Sequence, residues 1–171
     1  MPWKNGQGTT SEIEIAPKAA SLDKGDFLWR ISSATVQAPN TFSTFSGYDR
    51  ILAVVKGDAI MLNDYELPAF VPHRFAGENK IDCKPLGGTV VDFGIIYKRG
   101  EVKADMMVHS FWNRHVINMG EATHFFYCAE GSILVDEKPF AVGDTLRVEG
   151  PGEIWFECAE PSFCIQIVVR T

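Results

Sequence analysis

RILAVVKGDAI, residues 50–60, is an apolar strand that ends in a charged residue and a glycine turn, and HFFYCAEGSIL, residues 124–134, has the same pattern. Position 124 therefore corresponds to position 50. At the same offset, residues 89–93 fall on a second apolar strand in which Gln166 takes the place of Asp92. A pattern that recurs at a fixed offset is typical of an internal repeat. The sequence favours two similar β halves, although any two amphipathic hairpins share some of this pattern.

Alternation of apolar and polar residues extends well beyond these hairpins. It is clear at residues 12–15, 27–32 and 153–158, and each stretch is bounded by Gly, Pro, Asn or Asp. A period of two is typical of half-buried strands. Residues 16–22 are the one short candidate for a helix. The sequence therefore predicts an all-β fold made of barrels or sandwiches.

The size and charge of the chain exclude several function classes. The 171 residues suffice for one compact unit, and a net charge of −6 provides no basic surface for a duplex, so we expect no nucleic-acid partner. The longest apolar run, residues 51–55, is too short to cross a bilayer, and residues 1–6 lack the apolar centre of a signal peptide. We therefore expect a cytoplasmic protein with no membrane partner. The four cysteines show no C-x-x-C spacing and are expected to be buried thiols.

Each half resembles a cupin, which is a small double-stranded β-helix barrel. Metal-binding cupins carry a glutamate seven residues before the hairpin glycine, where this chain has Arg50 and His124, and a late histidine, where it has Trp155. A transition metal requires three or four convergent ligands, which neither half supplies. We therefore expect no metal and no cofactor. His124 is expected to be a hydrogen-bonded histidine of the barrel interior.

Five blocks in order along the first hundred residues carry a closer resemblance: residues 3–13, 27–32, 42–50, 75–78 and 91–93. Together they resemble the HutD/Ves family of bicupins. The resemblance implies two tandem cupin-like barrels packed into one compact unit. It also implies a small-molecule-binding or regulatory role linked to histidine utilisation, with urocanate or a formylated or formiminated glutamate as ligand.

The predicted halves cover residues 1–100, which include the N-terminal segment, and residues 101–171. The chain departs from the family pattern at two places. Gln7 replaces a glycine, and Gly94 stands where the family has an asparagine. The second departure removes an amide from the expected pocket wall.

A polar interior is predicted for the first barrel. Arg30 and Ser32 share one strand face, and Arg50 stands where other cupins point a ligand into the barrel. A guanidinium binds a carboxylate through two parallel hydrogen bonds, so we expect a pocket for a small carboxylate. The candidate ligand-binding residues are Lys4, Asn5, Glu12, Arg30, Ser32, Ser43, Arg50 and Asp92. Trp3 is expected to form an apolar lid over the barrel mouth.

Two other functional interpretations stay open. We expect binding rather than catalysis, but a metal-independent isomerase or hydrolase with Asp92 or Glu12 as general base is the alternative. The protein could also be an interaction module that forms a homodimer. The apolar residues considered for that interface are Trp112, Phe125, Phe126 and Trp155.

A purely structural interpretation of the charged residues is the remaining alternative. Arg50 would then form a buried ion pair with Asp49 or Asp92. Arg30 would pair with Glu12 or Glu14.

Overall fold

Every regular element of residues 8–171, the part of the chain that the computed structural model describes, is a β-strand. The predicted all-β class is confirmed. The helical candidate at residues 16–22 is wrong, because the first strand ends at Ala16 and turns follow it. Pro17 lacks a backbone N–H, and its carbonyl accepts a turn hydrogen bond from the Ala20 amide at 2.8 Å.

The strands fall into two units, of which the first ends at Lys103 and the second begins at Ala104. The strands of the N-terminal unit are β1 (Gly8–Ala16), β2 (Trp29–Val36), β3 (Asn40–Thr41), β4 (Tyr48–Lys56), β5 (Ala59–Leu62), β6 (Tyr65–Pro68), β7 (His73–Ala76), β8 (Asp82–Leu86) and β9 (Val90–Lys98). The remaining strands are β10 (Lys103–Met119), β11 (Thr123–Glu130), β12 (Ile133–Val135), β13 (Lys138–Phe140), β14 (Thr145–Glu149) and β15 (Gly152–Arg170).

The N-terminal unit is built from two antiparallel sheets. One sheet has the order β1-β2-β9-β4-β7 and the other has the order β3-β8-β5-β6. Their inner faces share one core, to which the first sheet contributes Leu52 and Val54 and the second contributes Ile60 and Leu67. The two sheets therefore face each other, and inward side chains of the first sheet point toward the second.

The C-terminal unit is a sheet with the order β13-β12-β15-β11-β14, and β10 pairs with β15. The long strand β15 pairs with β12 through its first part and with β11 through its second part. Sequence alternation predicts two separate strands here, and the structure joins them into one. The core of this unit is formed by Phe111, Ile117, Met119, Phe126, Cys128, Ile133, Phe140, Ile154, Phe156, Cys158 and Cys164.

The two predicted hairpins have matching irregularities. The β4 ladder shifts register between Val54 and Lys56, and the β11 ladder shifts between Cys128 and Glu130. Each shift is followed by a glycine with positive φ, 94° at Gly57 and 92° at Gly131.

The predicted match between the closing strands is wrong by two residues. Leu52 pairs with Gly94 in the first unit, and Phe126 pairs with Gln166 in the second. Gln166 therefore corresponds to Gly94 and not to Asp92. Hydrophobic alternation does not detect such an offset, because a shift of two residues keeps every side chain on the same face.

The apolar residues considered for a subunit interface divide into two pairs. Phe125 and Phe126 are buried in their unit, whereas Trp112 and Trp155 are exposed. The four cysteines are buried and free. No helix in residues 8–171 has the length and apolar character of a membrane span.

Candidate functional site

A cavity of about 520 Å³ opens in the N-terminal unit. Five of the predicted ligand-binding residues, Arg30, Ser32, Ser43, Arg50 and Asp92, line it. The other lining residues are Thr10, Leu22, Asp23, Ala34, Asn40, Thr41, Phe42, Phe45, Ile51, Leu52, Gly94, Ile95 and Ile96. Its wall therefore combines apolar side chains with hydroxyl, amide and charged groups, as is typical of small-molecule sites.

The strand register explains why these side chains meet. Phe75, Arg50, Ile96 and Arg30 are paired in one row across β7, β4, β9 and β2. Side chains two residues apart on a strand share a face, so Ser32 on β2 and Asp92 on β9 project to the same side of the sheet as Arg30 and Ile96. The predicted alternation of β2 holds here, because Trp29 and Ile31 are buried and do not line the cavity.

The guanidinium of Arg50 is surrounded by aromatic rings. Its central carbon lies 4.8 Å from the ring centre of Phe42, 5.1 Å from that of Phe75 and 5.8 Å from that of Phe45. We call these three residues the ring cage. Ring faces attract the cation without using its N–H groups. Among the described residues, the hydrogen-bond partner of Arg50 is the Ser43 carbonyl oxygen, at 3.4 Å from Nη1. Burial lowers the pKa of Arg50 to about 10, so it remains charged at neutral pH.

Asp92 is the buried acid of the cavity. It is 8% exposed, and no described residue donates a hydrogen bond to its carboxylate. No ion pair joins it to a described residue, although the charge of Arg50 acts on it. Burial raises the pKa of the carboxyl to about 7, and the charge of Arg50 opposes that shift. Asp92 therefore changes its protonation state near neutral pH.

Arg30 is held by an acid, as the structural interpretation predicts. Its Nε donates to Glu12 Oε2 at 2.7 Å, and its Nη1 donates to Ser32 Oγ at 3.3 Å. Glu12 lies outside the cavity lining and acts on it through this ion pair. The corresponding expectation for Arg50 does not hold, since Asp49 pairs instead with Arg99 Nη2 at 2.7 Å.

Three predicted residues of the N-terminal segment, Lys4, Asn5 and the lid residue Trp3, lie outside the described residues. The ring cage, by contrast, is absent from the predicted site. Phe42 and Phe45 stand in the quoted block at residues 42–50, but nothing in the sequence shows that their rings face Arg50. Within residues 8–171, no three His, Cys, Asp or Glu side chains are grouped to hold a metal ion.

The C-terminal unit fills the corresponding interior with its own side chains. His124, which corresponds to Arg50, donates from Nε2 to the Gly120 carbonyl at 3.0 Å when its proton is placed on that nitrogen. Its Nδ1 then accepts from Gln166 Nε2 at 3.0 Å, and Gln166 Oε1 accepts from His109 Nε2 at 2.8 Å. Burial lowers the pKa of His109, which favours this neutral arrangement. We call these three side chains the His-Gln-His chain. They are joined to one another by hydrogen bonds, whereas Arg50 and Asp92 are not.

Comparison with known proteins identifies the family. The HutD family model matches residues 1–166, which is nearly the whole chain. The chain belongs to the HutD family. A relative in Pseudomonas putida, an uncharacterised 21.2 kDa protein in the hutC 3′ region, is 32% identical, and the match covers 99% of this chain and 93% of the relative. The HutD-family assignment therefore rests on both a family match and a full-length relative.

Solved structures share the fold of this HutD-family chain. The conserved protein of unknown function PA5104 from Pseudomonas aeruginosa PAO1 is 28% identical with a TM-score of 0.86, over 100% of this chain and 93% of the other. HutD from Pseudomonas fluorescens SBW25, in a formate condition, is 24% identical with a TM-score of 0.78, over 100% and 94%. A cupin 2 conserved barrel domain protein from Leptotrichia buccalis has 14% identity and a TM-score of 0.60, over 99% and 92%. The predicted cupin-like fold is confirmed.

The HutD-family blocks now have a structural explanation. The Gly77 carbonyl accepts from the Phe45 amide and the Gly77 amide donates to the Tyr48 carbonyl, both at 2.8 Å. The two blocks at residues 42–50 and 75–78 therefore pack together and hold the ring cage. Gly94 lines the cavity, at the position where the family pattern has an asparagine.

Proposed function

We propose that this protein binds a small carboxylate in the N-terminal cavity, with Arg50 as the residue that receives the acid. The observation that carries the proposal is the state of the Arg50 guanidinium. It lines the cavity and is held by the ring cage. Among residues 8–171 its hydrogen-bond contact is the Ser43 carbonyl at 3.4 Å, which leaves most of its donors open to a ligand. An arginine fork with such free donors binds a planar carboxylate through two parallel bonds.

The family gives the proposal its biological context. The P. putida relative is described by its place in the hutC 3′ region, and the P. fluorescens protein is named HutD. We therefore take urocanate and formylated or formiminated glutamate as the candidate ligands, and a role in sensing or regulating histidine utilisation as the candidate function. The contrast with the His-Gln-His chain also supports a ligand site, because its members hydrogen-bond one another, whereas no described residue donates to the Asp92 carboxylate.

Titration calorimetry with urocanate, N-formylglutamate, formate and glutarate tests this proposal. Charge-assisted hydrogen bonds contribute about 1.5–3 kcal/mol each, so an arginine fork supports binding of about micromolar to millimolar strength. Arg50→Gln is expected to abolish measurable binding. Arg170→Gln is the matched control, because it removes the same charge from an exposed pair with Asp105. If no acid binds the folded wild-type protein at millimolar concentration, the proposal is wrong.

A metal-independent enzyme is the second candidate function. It is favoured by one observation, the buried carboxylate of Asp92, which has a pKa of about 7 and faces the same cavity as a guanidinium. Such a group can accept a proton near neutral pH while Arg50 stabilises developing negative charge. Glu12 is less suited to this role because it is paired with Arg30. To test this candidate function, each acid that binds is incubated with the protein, and proton NMR is used to look for a product. A new species that forms with wild type and is lost with Asp92→Asn would establish turnover.

A further inference from the structure

We infer that the N-terminal cavity selects a dipolar ligand, with a carboxylate at one end and a positively charged or N–H-bearing group at the other. The inference rests on the proposed function, because it assigns the carboxylate end to Arg50. It adds a second recognition group, Asp92, and with it the chemical class of the ligand. The charged groups that line the cavity are Asp23, Arg30, Arg50 and Asp92.

The first step concerns the unused bonding capacity of Asp92. Every described buried side-chain N or O atom that is closed off from solvent has a hydrogen-bond partner. The carboxylate of Asp92 has no such partner and so keeps its accessible surface toward the cavity that it lines. A carboxylate removed from water costs free energy unless a donor reaches it. Because no described residue donates to this carboxylate, its acceptor positions are open to a ligand that carries a donor.

The second step concerns the separation of the two charges. Arg50 is paired with Ile96 on β9, whereas Asp92 lies four residues earlier on the same strand. At about 3.3 Å per residue, the two backbone rows lie roughly 13 Å apart along the sheet. The charged groups at the ends of the two side chains lie closer together than the rows, since the charge of Arg50 acts on Asp92. The ring cage holds the Arg50 guanidinium among three aromatic rings. Arg50 and Asp92 therefore sit in one cavity with opposite charges and do not neutralise each other by contact.

The third step concerns the space between Arg50 and Asp92. Gly94 lies between the two rows on β9 and lines the cavity. A Cβ at this position would lie 3.0 Å from the Leu52 Cβ and 2.7 Å from the Ile51 carbonyl oxygen. The close approach of β4 therefore excludes a side chain at position 94, and none from this position blocks the path through the cavity between Arg50 and Asp92. A ligand that follows this path presents its two ends to opposite charges.

The charge pattern therefore discriminates among acids. A dicarboxylate of matching length would place its second carboxylate next to Asp92, where like charges repel. An amino or guanidino acid would place a cationic donor next to Asp92. Charge-assisted hydrogen bonds of this kind are stronger than hydrogen bonds between neutral groups. We expect wild type to bind the aminated acid about tenfold or more tightly than the dicarboxylate of equal chain length.

Calorimetry with matched probes tests the inference. The pairs are 4-aminobutyrate with glutarate and 6-aminohexanoate with pimelate, each pair having the same number of methylene groups. Asp92→Asn is expected to abolish the preference, with the aminated acid weakened about tenfold and the dicarboxylate unchanged or tightened. Arg50→Gln is expected to weaken both members of a pair. Thermal melting confirms that each variant is folded, and Asp92→Ser replaces Asp92→Asn if the latter is not.

The outcomes separate this inference from the proposed function. Equal affinity for both members of each pair, with Asp92→Asn changing both alike or neither, would overturn the dipolar ligand and leave carboxylate binding intact. Binding of no acid at all by folded wild type would overturn both. A preference that persists in Asp92→Asn would assign the selectivity to another residue and contradict the role of Asp92.

Discussion

The ring of Phe75 lies against the guanidinium of Arg50 across the β4–β7 ladder. The two residues are paired in register, and the guanidinium carbon is 5.1 Å from the ring centre. Phe75 also belongs to the core between the two sheets. The cation is therefore positioned by a residue that the core itself holds in place, and loosening this ring should loosen the site.

Phe75→Leu is expected to weaken carboxylate binding by a few-fold to about tenfold. Cation–π contacts of this kind contribute about 0.5–2 kcal/mol, and their loss lets the guanidinium adopt other rotamers. Calorimetry with the tightest acid measures the change. Phe140→Leu is the matched control, since Phe140 is a buried aromatic residue of the C-terminal core. Equal affinity in the two variants would count against the role of the ring.

Asp92→Asn is expected to stabilise the protein at pH 8 and to change its stability little at pH 4. Burial raises the pKa of Asp92 from 3.8 to about 7, so between these pH values the folded state binds more protons than the unfolded state. The stability contributed by this group therefore falls as pH rises through that window. One pKa unit corresponds to about 1.4 kcal/mol, so the gain is a few kcal/mol at most.

Urea unfolding of both proteins at pH 4, 6 and 8 measures the effect of Asp92→Asn. Asp105→Asn serves as the control, since Asp105 is an exposed acid paired with Arg170. A stability difference between Asp92→Asn and wild type that is the same at all three pH values would show that Asp92 is not the titrating group.

Gly77→Ala is expected to destabilise the protein by about 1–3 kcal/mol, in the range of overpacking substitutions. A Cβ at position 77 would overlap the Phe45 carbonyl oxygen and lie 2.8 Å from the Tyr48 carbonyl oxygen. Backbone atoms cannot rotate away, so the two blocks must separate and the ring cage must open. Thermal melting and acid affinity should both fall. Gly120→Ala is the control, because a Cβ there meets no atom within 4 Å.

Gln166→Leu is expected to cost about 2–5 kcal/mol in unfolding free energy, because it leaves both His124 and His109 without their amide partner. The double variant His109→Phe with Gln166→Leu is expected to lose less than the sum of the two single variants, since residues of one network couple. Urea unfolding of wild type, the two single variants and the double variant gives the coupling free energy between His109 and Gln166. Additive losses would mean that the His-Gln-His chain does not act as a unit.

The hairpins at residues 50–60 and 124–134 were predictable because alternation and a turn glycine are local signals. The same signals miss β7, where Pro72 and the short run at residues 73–76 suggest a loop for His73. That strand carries Phe75. The aromatic neighbour of Arg50 therefore could not be inferred, because strand pairing is a long-range property.

The inward direction of Arg50 and Asp92 follows from strand parity, and in this respect the sequence is informative. Their failure to pair is not predictable in the same way. It depends on the register of β4 against β9, which places Arg50 opposite Ile96 and Val54 opposite Asp92. The same limit explains why the sequence repeat aligns Gln166 with Asp92, whereas the strand pairing aligns it with Gly94.

The ring cage has a consequence for the competition among anions for Arg50. The three aromatic rings displace water from around the Arg50 guanidinium. An anion that binds there must therefore lose part of its own hydration shell. Phosphate and sulfate hold their water strongly, whereas an organic acid carries an apolar body that gains by leaving water. A guanidinium shielded in this way is expected to favour organic acids over inorganic anions without a steric filter.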